Sequence, residues 1–121
     1  MLCPHSAHYF FLLRQYVARH FEDGINVGFM AHPSFVEDDE LRGFKGPLSI
    51  AAAETDTIFP AEKRHHSEVL LKESGQPYQI NLYSGVAHGF AVRGDVSKKD
   101  QKFAKEQAFF QAVQWFDNFL L

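Results

Sequence analysis

One cysteine in 121 residues leaves no partner for an intrachain disulfide, which suits a reducing compartment or a protein indifferent to one. No apolar run approaches the ~20 residues that a membrane-spanning helix requires. The opening residues Met1-Leu-Cys-Pro-His5 lack the basic start and small-residue cleavage site of a secretory signal. A soluble, cytoplasmic chain without a membrane partner is therefore expected. Net charge is only −3, with both signs mixed along the chain, which argues against a nucleic-acid partner. There is no internal repeat, interdomain linker or low-complexity tract. What the chain does have is an ordinary 45% hydrophobic content with an excess of phenylalanine, 13 in all. The length allows one domain with a modest core.

Read in order, residues 1–15 stand apart. Cys3-Pro-His5-Ser-Ala-His8 is polar and turn-like, and Phe10-Phe-Leu-Leu13 is a blunt apolar run without amphipathic spacing. A helix is expected over 10–22, stopped at Asp23-Gly24. Residues 25–31 read as a first strand, closed by His32-Pro33 because the residue before proline is pushed to extended geometry. Glu37-Asp-Asp-Glu40 is an acidic turn leading into a helical turn near Leu41-Arg-Gly43. Pro47-Leu-Ser-Ile-Ala-Ala-Ala53 is a short apolar run between turn residues, hence a buried strand. A helix is expected over 60–73, with Pro60 at its first position, Ser74-Gly75 at its end, and Ala61, Val69 and Leu70 facing the sheet. Pro77-Tyr-Gln-Ile-Asn-Leu-Tyr83 alternates and reads as a third strand. A Gly-, Asp-, Ser- and Lys-rich loop follows His88. The last helix is expected over 100–119, with Ala104, Ala108, Ala112, Trp115 and Phe119 at helical spacing and the aromatics as core anchors. The fold class is α/β.

Strand, helix, strand is the unit that organises this chain. Asp56 follows the second expected strand and His88 the third, 32 residues later. Crossovers of this kind are right-handed and join parallel strands, so both residues fall at one edge of the sheet, where open α/β sheets bind ligands. An acid that orients a histidine is two-thirds of a nucleophile, histidine and acid triad, in the chain order of α/β-hydrolases. The alternative for Asp56 is a cap on the following helix. Glu54 competes for the acid role. The alternative for His88 is a turn histidine without a role, between Gly85 and Gly89.

The residues Ala51-Ala-Ala-Glu54-Thr-Asp56 and Gly85-Val-Ala-His88-Gly-Phe-Ala-Val-Arg93-Gly-Asp95 resemble the dienelactone hydrolase family, a branch of the α/β-hydrolases. Gly28-Phe-Met-Ala-His32-Pro-Ser-Phe-Val36 resembles the segment before the acid strand in fungal members. The likeness covers 16–121, which would be the C-terminal half of such a domain: three parallel strands flanked by helices. Residues 1–15 are expected to lie outside the family sequence, as translated intron or an alternative first exon. The resemblance implies a Cys-His-Asp triad acting on lactones or carboxylic esters, with Asp56 as acid and His88 as base. It also implies a G-x-C-x-G elbow before Tyr16, and the sequence contains none. Arg93 stands where members place a cation for an anionic substrate group, which a guanidinium suits. Its alternative is a salt bridge to Asp95 or the last helix. His32 either lines the pocket or packs against the adjacent loop.

The remaining candidates carry little. Cys3 precedes a proline and lacks the small neighbours that a sharp nucleophile turn requires, and Ser6 fails for the same reason. Cys3, His5 and His8 form no closed tetrahedral set. His65 and His66 are adjacent on a helix and diverge by about 100°. No metal and no cofactor are expected. Two other readings stay open beside the hydrolase: a non-catalytic fragment that pairs with a partner chain, and a pseudo-enzyme that binds a carboxylate through Arg93 and His88. An open edge at 25–31, with Val27 and Phe29 exposed, is expected to favour self-association.

Overall fold

Eight consecutive residues, Leu48–Thr55, form the central strand of a three-stranded parallel sheet, and the first six of them are buried. A strand covered on both faces must be apolar throughout, which is why Leu-Ser-Ile-Ala-Ala-Ala shows no polar alternation. The structure is a computed structural model that describes residues 27–33, 38–43 and 46–120. The helix expected over 10–22, together with Cys3, Ser6, His5 and His8, lies outside the described residues. The described elements are β1 (Gly28–Ala31), α1 (Asp38–Arg42), β2 (Leu48–Thr55), α2 (Ala61–Ser74), β3 (Tyr78–Ala87), α3 (Phe90–Arg93) and α4 (Lys99–Leu120). Sheet order is β1-β2-β3, all parallel, with Gly28 opposite Leu48 and Leu48 opposite Tyr78. The expected α/β architecture of three parallel strands with flanking helices is the one observed.

Because side chains alternate across a strand, the sheet divides the core in two. Met30, Leu48, Ile50 and Ala52 face Leu41, Phe59, Leu70 and Leu71 on the side of α1 and α2. Phe29, Ala31, Ala51 and Ala53 face Val86, Phe90, Ala104, Ala108 and Ala112 on the side of α3 and α4. The alanines at every fourth position of α4 give that helix a flat stripe against the sheet.

Several expectations are corrected. The buried stripe of α2 is Ser67, Leu70 and Leu71, whereas Val69 is 53% exposed. Ser67 fits inside because its hydroxyl donates to the Lys63 carbonyl at 2.8 Å. Pro60 caps α2 from the extended region rather than opening it, and Gly75 ends it at φ 75°. On α4, Phe103, Phe109 and Phe110 are more than half exposed, so the alanines and not those phenylalanines anchor this helix. Strand β3 continues past Tyr83 to Ala87, because Gly85 at φ 74° absorbs a bulge and pairing resumes at Thr55 and Ala87. The loop after His88 contains the helical turn α3. Val27, Phe29, Met30 and Ala31 are all buried, so β1 does not offer the apolar side chains expected at an open edge.

Candidate active site at the carboxyl edge of the sheet

His32, Asp56 and His88 follow β1, β2 and β3 in turn, and parallel pairing brings all three to one edge. Asp56 is 7% exposed and uses its two oxygens differently. Oδ1 accepts from the backbone N–H groups of Ile58 at 2.8 Å and Phe59 at 2.9 Å, fixing the turn before α2. Oδ2 lies 2.9 Å from Nδ1 of His88. The cap and the histidine partner are thus one carboxylate, and the two alternatives for this residue coexist. Glu54, the competing acid, instead accepts from the Gly85 N–H at 2.9 Å and has no bond to His88 among the described residues.

The two functions of Asp56 predict separable effects. Asp56→Ala leaves two backbone donors without their acceptor and should cost about 2 kcal/mol in urea unfolding at pH 7. Asp56→Asn keeps an Oδ1 acceptor, so it should retain most of that stability while replacing the anion beside His88. Equal losses in the two variants would contradict this division.

His88 lines a cleft of about 560 Å³ together with Thr55, Gly89, Arg93, Gly94 and Gln101, among others. Gly89 has φ 91°, a conformation that L side chains avoid, and a Cβ there would meet the Arg93 guanidinium at 2.2 Å. The glycine therefore lets Arg93, at the end of α3, fold back over the turn beside His88. Among the described residues Arg93 makes no salt bridge. Asp95, its expected alternative partner, is engaged by Ser97, whose N–H and hydroxyl reach Asp95 Oδ1 at 2.9 and 2.6 Å. Those bonds hold the Asp95 carboxyl below the usual range.

His32 sits behind His88 and not on the wall of this cleft. It is 3% exposed, with its ring centroid 5.1 Å from that of His88 and the planes at 70°. Among the described residues its ring also stands 5.6 Å from that of Phe90. The residue does not take the extended geometry expected before proline. It has φ 36°, the one non-glycine residue with positive φ among the described residues. A 2.7 Å bond from its N–H to the Ala51 carbonyl extends the β1–β2 ladder and holds the chain there. Burial, with His88 and Arg93 nearby, pushes the His32 pKa down to about 4, against a smaller opposing pull from Asp56.

The sequence reading also missed a polar network under β2. Gln111, 5% exposed, donates to Ser49 Oγ at 2.7 Å and to the Ile50 carbonyl at 3.1 Å. Its Oε1 accepts from the Tyr83 hydroxyl at 2.7 Å. The signal was present, since Gln111 falls on the helical face of Ala104 and Ala108.

The model of the dienelactone hydrolase family matches residues 13–120. The chain belongs to the dienelactone hydrolase family. The match begins three residues before Tyr16. Hydrolase tropI of Talaromyces stipitatus is 57% identical over 107 residues, which make up 88% of this chain and 42% of that protein. Hydrolase pyvD of Aspergillus violaceofuscus is 53% identical over 107 residues, covering 88% and 44% respectively. A solved structure from Klebsiella pneumoniae, described as a dienelactone hydrolase, superposes with a TM-score of 0.71 over 89% of this chain and 48% of its own. At 12% identity that likeness shows the fold alone. This member of the family spans less than half the length of the curated relatives it matches. Among the described residues no helix is long and apolar enough to cross a membrane.

Proposed function

We propose that this chain carries the acid–base half of a hydrolase site acting on lactones or carboxylic esters. The observation that supports it best is the 2.9 Å contact between Asp56 Oδ2 and His88 Nδ1, with His88 lining an open cleft. With Nδ1 donating to the buried carboxylate, Nε2 is left as the basic nitrogen. It would take the proton of a nucleophile and return it to the leaving alkoxide. Asp56 would fix that tautomer and stabilise the imidazolium. Arg93 would meet an anionic group on the substrate, as its position in the cleft and the lack of a described salt bridge suggest. The nucleophile would be a cysteine in a G-x-C-x-G elbow, a motif these 121 residues do not contain.

This reading makes a plain prediction for the chain alone. It should hydrolyse small activated esters and lactones no faster than its His88→Ala variant, since a triad without its nucleophile retains only weak residual catalysis. Activity that vanishes in both Cys3→Ala and His88→Ala would show that Cys3 is a working nucleophile. Small carboxylates should raise the melting temperature of the chain but not of Arg93→Ala. That result would hold for a pseudo-enzyme too, so hydrolysis and binding are to be measured together.

A further inference from the structure

We propose that His32 is a positioning residue for His88, its ring holding the His88 imidazole in the orientation that Asp56 sets. This rests on the acid–base reading of Asp56 and His88 given above. Three observations carry it. The ring of His32 stands edge-to-face on that of His88 at 5.1 Å, so His88 is held by Asp56 at one nitrogen and by a second imidazole across its ring. His32 is reached only through a left-handed backbone at φ 36°, a conformation that costs free energy for a non-glycine residue and persists where the surroundings hold it. And His32 is only 3% exposed, at a position where a phenylalanine or leucine would fill the volume without introducing a titratable group.

The groups that face His32 explain how it stays neutral. His88 comes from the end of β3, Asp56 from the end of β2 and Arg93 from α3. Two imidazolium rings at this separation repel, Arg93 adds to that repulsion, and burial removes the water that would solvate a second charge. A backbone hydrogen bond of His32 and the Asp56 carboxylate favour protonation, but burial and His88 outweigh them, and Asp56 Oδ2 is already directed at His88. Aromatic packing of this kind restrains a ring in its orientation, so loss of the His32 ring should loosen His88 without altering Asp56.

The test uses the full 121-residue chain with ¹⁵N-labelled histidine. In the parent chain His88 should show a single tautomer, protonated at Nδ1, with a low-field, slowly exchanging N–H. His32→Asn suits the left-handed backbone but removes the ring. It should fold, while the His88 N–H exchanges roughly tenfold faster and the tautomers mix. His32→Phe retains an aromatic ring and should preserve the His88 tautomer. A folded His32→Asn variant whose His88 signals match those of the parent would overturn the proposal and leave His32 as a packing residue. Should that variant not fold, titration of the parent chain reads the same contact. The His88 Cε1 resonance should show a second inflection near the His32 pKa of about 4, absent in His32→Phe, and no such inflection would equally overturn it. Asp56→Asn separates the two readings. If it alters the His88 signals and His32→Asn does not, only the positioning role fails. If Asp56→Asn leaves them unchanged, the acid–base reading fails first.

Discussion

Replacing His88 with alanine should lower turnover by on the order of 10⁴-fold or more once these residues are joined to a segment that carries the family's nucleophile. A direct way to see this is a chimera in which residues 16–121 follow the upstream segment of the Talaromyces stipitatus relative. At 57% identity across the shared region, the two sides should pack without new interfaces. On the proposed acid–base reading His88→Ala removes the group that takes the nucleophile's proton, so the loss should fall on kcat. Asp56→Asn should cost on the order of 10⁴-fold as well, because the imidazole then lacks the anion that sets its tautomer and balances its charge. Arg93→Ala should act differently, raising KM for substrates with a carboxylate and leaving neutral esters nearly unaffected. A chimera that turns over normally without His88 would remove the functional reading altogether.

Acidification should destabilise the chain through His32. Its pKa lies at about 4 in the folded protein and at 6.5 when unfolded. The unfolded state therefore takes up the proton first as pH falls. The contribution to stability is complete above pH 6.5, declines below it, and is lost as pH reaches about 4. A difference of that size corresponds to roughly 3 kcal/mol. Urea unfolding at pH 7 and at pH 4.5 should show most of this loss in the parent chain. In His32→Asn and His32→Phe the same interval should show only the background from the carboxylates and the other histidines. The slope with pH is the quantity to compare, because phenylalanine at φ 36° lowers stability at every pH. Identical slopes in parent and variants would mean that His32 is accessible to protons in the folded state.

The sequence made the sheet and its edge legible, for specific reasons. The apolar run Leu48–Ala53 is fenced by Gly46-Pro47 and Glu54, a composition and length that suit a doubly covered strand. The right-handed crossover rule then puts Asp56 and His88 on one side. Side-chain detail was less accessible. Periodicity on α4 identified the buried face through its alanines, but hydrophobicity alone could not tell Phe116, packed against the core, from Phe103, 60% exposed on the same helix. On α2, Ser67 was passed over because a hydroxyl reads as polar, although bonding to the preceding turn makes it fit to be buried. His32 was the hardest. The following proline indicated an extended backbone, and the observed left-handed turn depends on a ladder bond to Ala51 and on rings contributed by β3 and α3. Those contacts are tertiary, and no local pattern contains them.

The contact between Asp56 Oδ2 and His88 Nδ1 is read out by ¹⁵N and ¹H spectroscopy of histidine-labelled chain. A low-field Nδ1–H resonance of His88 is expected at neutral pH, present in the parent chain and lost in Asp56→Ala. A His88 protonated at Nε2, or an Nδ1–H signal unchanged when the Asp56 carboxylate is removed, would contradict it.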